Sequence, residues 1–226
     1  MATLYANYDG YVGRTNQSNW SNARNSGVGT ISSATATNSS QSVGAYVQLS
    51  RGGGTTINIQ RSFFVFDTSG ISGTVDSATL KIMGTNNTSG DLIALKATSA
   101  ISSLSTADFN SIDGWVYNTT DGSGGGNQIP NVTAYSSEVS TWLAYPNYNE
   151  ITLNAQARTD MENNDDLYIA LVNYDYDLRD LDSGPASAKN GMYFENYTGT
   201  SRDPYIDYEV ATVTVTHNAT FFGSNF

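Results

Sequence analysis

Four aspartates lie close together near residue 180 and are the side chains best placed to bind a cation. They are Asp175, Asp177, Asp180 and Asp182. If the preceding strand continued through Asp177, the carboxylates of Asp175 and Asp177 would share one face, about 6–7 Å apart. Calcium takes several hard oxygen ligands, so these two residues are the candidate calcium ligands. The spacing is not that of an EF-hand, because Arg179 falls at the third ligand position, and a solvated acidic loop is the alternative.

Glu162, Asp165 and Asp166 form a second acidic cluster. It is a second candidate calcium site, and a solvated acidic loop is again the alternative. Paired carboxylates also serve glycosidases, but no groove-forming pattern singles out such a pair in this sequence. The remaining signals for catalysis are weak. His217 is the single histidine of the chain. A catalytic triad needs a base that is held by a partner and lies next to a nucleophile, which one histidine in a terminal strand rarely provides. A zinc site with several histidine ligands is excluded.

Two further kinds of site are excluded by composition. The chain has no cysteine, which removes thiolate metal sites and cysteine nucleophiles together. The glycine-rich stretch 121–127 lacks the Lys-Ser/Thr pair of a phosphate-binding loop. We therefore expect a binding or structural protein that is not an enzyme and that needs no cofactor other than the candidate calcium ion.

Three tyrosines are the candidate ligand-binding residues, because they stand in polar segments where burial is not expected. They are Tyr145, Tyr148 and Tyr197, each with an asparagine close by. Tyrosine rings could stack on sugars while the asparagines supply hydrogen bonds, as in other loop-built recognition surfaces. The alternative for any single aromatic residue in a β-protein is packing in the core.

The charge and the chain ends restrict the partners. The net charge of −11 argues against a nucleic-acid backbone and against anionic lipid, and no run of about 20 apolar residues could span a membrane. The first nine residues lack the basic and apolar regions of a secretory signal. A virion protein released by cell lysis, or a chain whose signal was removed, reconciles this with a composition typical of exposed surfaces.

Short, turn-punctuated strands dominate the rest of the pattern. Residues 13–42 are predicted to be a long loop, with at most a short edge strand near 27–31, and residues 155–162 are the best helix candidate. Residues 56–67 alternate so that both faces look buried. The pattern predicts an all-β, antiparallel two-sheet sandwich, jelly-roll-like, over residues 1–210. Strand periodicity places seven residues in its core: Phe64, Phe66, Leu80, Ile82, Ile93, Ile169 and Leu171.

Three segments carry a family resemblance. They are 61–67 (RSFFVFD), 71–82 with its Ser-Ala-Thr-Leu strand, and 202–208 (RDPYIDY). Together they resemble the DNRLRE-type β-sandwich modules, which look like carbohydrate-binding modules and occur in bacterial surface and phage structural proteins. The resemblance implies a jelly-roll sandwich from about Tyr8 to Val210 and supplies no site residues. On physical grounds Asp67 is expected to cap the following turn, and Arg61 to pair with a carboxylate at the edge of the sandwich.

The tail, residues 211–226, is predicted to be an extension that docks on a partner. It ends with Phe221, Phe222 and Phe226, and three phenylalanines at a chain end are better buried in a partner's groove than left in water. The alternative is a tail that packs on its own sandwich. The leading functional expectation is a non-enzymatic virion structural protein of a tailed bacteriophage, in capsid decoration or in a tail or fibre. It would bind other virion subunits as a homo-oligomer and meet host surface glycans. The alternative is an extracellular carbohydrate-binding module of a bacterial surface or secreted protein.

Overall fold

The chain forms eleven β-strands and two short α-helices within the residues that the computed structural model describes, which are 1–33, 39–49, 54–85, 91–98, 103–115, 131–181, 188–194 and 201–212. The strands are β1 Ala2–Tyr5, β2 Tyr8–Gln17, β3 Ile31–Ser33, β4 Ser39–Leu49, β5 Thr55–Asp67, β6 Val75–Met83, β7 Leu92–Lys96, β8 Tyr148–Thr152, β9 Asp166–Asn173, β10 Ala188–Phe194 and β11 Tyr205–Val210. The helices are α1 Trp20–Arg24 and α2 Ala155–Asn163, with a 3₁₀ turn at Thr106–Asn110 and a π-helical turn at Tyr174–Leu178. None of the helices in these ranges is long and apolar enough to cross a membrane.

The strands form two antiparallel sheets, which confirms the predicted two-sheet β-sandwich. The four-stranded sheet has the order β1-β11-β6-β8. The seven-stranded sheet runs β10-β4-β5-β2-β3, and β9 joins it by pairing with both β5 and β7. The first and last described strands along the chain, β1 and β11, lie side by side, so residues far apart in the sequence meet on one sheet.

The main core lies between the two sheets. Its centre is formed by Phe64 and Phe66 of β5 against Leu80 and Ile82 of β6, all with no exposed surface. Six of the seven predicted core residues belong to this cluster, which also includes Ile169 and Leu171. Ile93 is buried as well, but it packs in a second cluster with β5 residues of the opposite parity. Burying each large apolar side chain stabilises the fold by about 1.5–3 kcal/mol.

The second cluster covers the outer face of the seven-stranded sheet, so β5 is buried on both faces as its pattern predicts. Phe63 and Val65 point to this side and belong to one cluster with Phe109 of the 3₁₀ turn and Trp20 of α1. The prediction of one long loop over 13–42 is wrong in part, because this segment contains regular secondary structure. Within it, β2 extends to Gln17 and α1 forms, because the Asn19 side chain accepts a hydrogen bond from the backbone N–H of Asn22 and caps the helix.

We call the segments that cover the outer face of the seven-stranded sheet the covering layer, and an ion pair fixes this layer to the sheet. The guanidinium of Arg61, in the middle of β5, donates to both carboxylate oxygens of Asp177 at 2.7 and 2.8 Å, and neither side chain is exposed. The cation also lies 3.9 Å from the ring centre of Phe109 and 4.0 Å from that of Trp115. Arg61 therefore pairs with a carboxylate as expected, but in the interior rather than at the sandwich edge. Asp67 accepts from the Ser69 N–H at 3.0 Å, which confirms its predicted capping of the turn.

Candidate functional site

The outer face of the four-stranded sheet bears a row of tyrosines. Alternation along the strands sends Leu4 and Ile206 into the core and leaves Tyr5 and Tyr205 on the opposite, outer side. These two rings are directly opposed across β1 and β11, with centres 5.8 Å apart. Tyr148 of β8 completes the row, its ring centre 5.0 Å from that of Tyr205 in an edge-to-face contact. We call Tyr5, Tyr205 and Tyr148 the tyrosine face.

Hydrogen bonds hold the far end of this row in place. The Tyr148 hydroxyl lies 3.0 Å from the carbonyl oxygen of Ser201 and 3.2 Å from that of Asp203, on the segment that leads into β11. Tyr5, at the other end, is 40 % exposed. Tyr148 and Tyr205 are half-buried, so the three rings form an aromatic row that is most exposed at Tyr5.

Polar groups continue the tyrosine face across the sheet. Lys81 of β6 lies in register between Tyr205 and Glu150, and its ammonium is 2.6 Å from a Glu150 carboxylate oxygen and 3.9 Å from Asp207. The hydrogen bond to Glu150 raises the pKa of Lys81 above its ordinary value. Burial, followed by the charge of Asp207, raises the pKa of the Tyr205 phenol. At neutral pH the face therefore presents phenol rings beside a paired ammonium and carboxylates.

The three tyrosines predicted as ligand-binding residues do not form one site. Tyr148 belongs to the tyrosine face, although it stands in a strand and not in a loop. Tyr145 is 58 % exposed and contacts Tyr193 edge-to-face at 6.1 Å, and Arg202 lies over that second ring at 5.0 Å. Tyr197 lies outside the described residues, as do Phe221, Phe222 and Phe226 of the predicted docking tail. Sequence reasoning missed Tyr5 and Tyr205 as site residues, and the only signal for them was their shared outward parity.

The geometry expected for a calcium site at Asp175 and Asp177 is wrong. Strand β9 ends at Asn173, whose side chain accepts from the Tyr176 N–H, and the π-helical turn that follows separates the two carboxylates. Asp177 is held by Arg61, and Asp175 accepts from Arg179 at 3.0 Å. Calcium at these residues would have to displace both arginines. The described part of the chain contains no group of three or more acidic or histidine side chains arranged to hold a metal ion.

Asp175 instead lies beside Asp91, which also lies beside Glu138. Burial, together with the charges of Glu138 and Asp175, raises the pKa of Asp91 from 3.8 to about 6. Asp91 lies within hydrogen-bonding reach of both Glu138 and Asp175, and its protonated form can donate its one O–H to either of them. The Asp91 carboxyl group therefore changes its charge near pH 6.

A cleft of about 610 Å³ opens beside α2 and contains the second acidic cluster in part, since Asp165 and Asp166 line it together with Asp113. At its floor the carboxylate of Asp160 accepts from Lys96 at 2.8 Å and from Tyr135 at 2.5 Å. Burial alone would raise the pKa of Asp160, but these hydrogen bonds outweigh it and hold the pKa below its ordinary value. Asp160 is thus kept ionised and fully engaged by its neighbours.

No protein-family model matches the chain, and no curated protein has a significantly similar sequence. The DNRLRE-type resemblance therefore stays a prediction, and the function must be argued from the site itself.

Proposed function

We propose that the chain is a non-catalytic glycan-binding module whose tyrosine face stacks on the rings of a saccharide. One observation carries the proposal: Tyr5, Tyr205 and Tyr148 form a continuous row on the outer side of one sheet, with ring centres 5.8 and 5.0 Å apart, and Tyr5 is 40 % exposed. Large aromatic rings in this position normally bury their area against a partner.

A saccharide fits the chemistry of this surface. Sugar rings present apolar C–H faces, which an aromatic ring can cover, and hydroxyls around their edges, which need hydrogen-bond partners. The tyrosine face supplies rings, and Lys81, Glu150 and Asp207 supply donors and acceptors beside them. Binding sites of this kind combine aromatic contact area with a small number of placed polar groups.

The sheet also limits the entropy lost on binding. Cross-strand pairing fixes Tyr5 against Tyr205, and the hydroxyl of Tyr148 is tied to the backbone near Ser201. A surface whose side chains are already ordered loses less freedom when a ligand binds. We therefore expect the free protein to present its tyrosine row in a binding-ready arrangement.

The test is a glycan array followed by titration of the best ligand with Tyr5→Thr and Tyr205→Thr. Threonine keeps a high strand propensity, so each change removes the ring and leaves the sheet intact. An aromatic contact is worth about 0.5–1.5 kcal/mol, so each variant should bind between about twofold and tenfold more weakly. The matched control is Tyr8→Thr, because Tyr8 is 47 % exposed but belongs to the other sheet.

Two results would contradict the proposal. One is an array on which the protein binds no glycan above background. The other is a loss of affinity in Tyr8→Thr that equals the loss in Tyr5→Thr, because the ligand would then not be held by the tyrosine face.

Membership of a phage virion stays a prediction, and in that setting the tyrosine face would meet glycans of the host surface. Mass spectrometry of purified virions tests it, and the absence of the chain from virions that carry its gene would remove it.

A further inference from the structure

A single row of side chains crosses the outer face of the four-stranded sheet. The register places Tyr5, Tyr205, Lys81 and Glu150 side by side on β1, β11, β6 and β8. Lys81 thus stands next to the rings on which we propose that a sugar stacks, and it is the cation of the row. What Lys81 can bind decides which sugars the face accepts.

The ammonium of Lys81 is already engaged. Its nitrogen is 2.6 Å from Glu150 and 3.9 Å from Asp207, and only 20 % of its side chain is exposed. Asp207 is itself fixed, because it accepts a hydrogen bond from the Thr3 hydroxyl at 2.7 Å. Glu150 is 64 % exposed on the edge strand and forms the open side of the pair.

These three groups carry one positive and two negative charges, in a chain whose net charge is −11. A uronate or sulfate group that approached Lys81 would meet two carboxylates for one ammonium, and an unmatched like charge disfavours a ligand strongly. A neutral sugar meets no such repulsion. Its hydroxyls can accept from the remaining N–H groups of Lys81 and donate to the carboxylates.

We propose that Glu150 and Asp207 are specificity-determining residues, which occupy Lys81 and thereby restrict the tyrosine face to neutral glycans. This inference rests on the proposed glycan-binding function. Lys81 is in this view a latent anion-binding group, and the two carboxylates keep it from acting as one.

The experiment compares neutral oligosaccharides with oligogalacturonates and alginate oligomers on one array at low salt. The wild type should bind neutral glycans only. The double variant Glu150→Gln/Asp207→Asn keeps the shapes of both side chains and frees Lys81, so it should gain at least about tenfold in binding to a uronate chain. Adding Lys81→Met to the double variant should abolish that gain.

Two controls separate local from global effects. Asp165→Asn removes one negative charge outside the tyrosine face and should not confer uronate binding. The single variant Glu150→Gln, at an exposed edge position, should already show part of the gain, which keeps the test valid if the double variant folds poorly.

The outcomes are distinguishable. Wild-type protein that binds uronates as well as neutral glycans overturns this inference and leaves the proposed function standing. The inference is also overturned if Glu150→Gln/Asp207→Asn and Glu150→Gln show no gain in uronate binding. Wild-type protein that binds no glycan of either kind removes the proposed function together with this inference.

Discussion

Replacing Arg61 by methionine should destabilise the protein severely, because it would leave the Asp177 carboxylate buried without its partner. Both side chains are fully buried, and the guanidinium meets both carboxylate oxygens at 2.7 and 2.8 Å. Removing one member of a buried ion pair costs about 3–5 kcal/mol. The rings of Phe109 and Trp115, 3.9 and 4.0 Å from the cation, lose a further contact worth up to about 2 kcal/mol. We therefore expect a loss near 5 kcal/mol, which lowers the melting temperature by about 10–20 °C in a chain of this size.

The assay is denaturant unfolding of Arg61→Met at pH 7, with Arg179→Met as the matched control. Arg179 pairs with Asp175 at 3.0 Å but is 41 % exposed, so its loss should cost less than about 1 kcal/mol. The double variant Arg61→Met/Asp177→Leu should be more stable than Arg61→Met alone, because no buried charge is then left unpaired. A cost below about 1 kcal/mol for Arg61→Met, or a double variant as unstable as the sum of the single ones, would refute this reasoning.

Two other predictions follow from the acidic groups. The pKa of Asp91 is raised from 3.8 to about 6, so its contribution to stability is present below pH 4 and is lost as the pH rises through 6. Asp91→Asn should therefore match the wild type at pH 4 and exceed it by about 1 kcal/mol at pH 8, allowing for solvent screening, and equal unfolding free energies at pH 8 would count against this. Millimolar calcium should leave the melting temperature unchanged, because arginines occupy both Asp175 and Asp177. A clear rise in differential scanning calorimetry would restore the calcium hypothesis, since a ligand of the native state stabilises it.

The core was predictable because strand alternation is a local property. Phe64 and Phe66 stand two residues apart on β5, as do Leu80 and Ile82 on β6, and each pair lies on the face that its parity indicates. The partner of Arg61 was not predictable, because Asp177 is 116 residues away in the sequence. The local pattern around Asp177 even suggested a continuing strand, whereas the side chain of Asn173 ends that strand by capping a turn.

The candidate site was predictable only in part for the same reason. Tyr148 was predicted as a site residue because its neighbours in the sequence are polar, and this property can be read from a few consecutive residues. Tyr5 and Tyr205 come together because β1 pairs with β11, which joins the two ends of the fold. No short-range pattern reports a pairing over about 200 residues, so the row of three rings emerges only from the folded structure.

The two outer faces of the sandwich show why binding belongs to the four-stranded sheet. On the seven-stranded sheet the outward residues of β5 include Phe63 and Val65, which are apolar, and the covering layer that Arg61 ties down removes them from water. On the four-stranded sheet the outward side chains include Tyr5, Tyr205, Lys81 and Glu150, and both Tyr5 and Glu150 are exposed. The aromatic rings of the first face stabilise the fold, which is why breaking its ion pair should destabilise the protein. On the second face Tyr5 is 40 % exposed, so we expect its substitution to change the affinity for a ligand and to leave the fold largely intact.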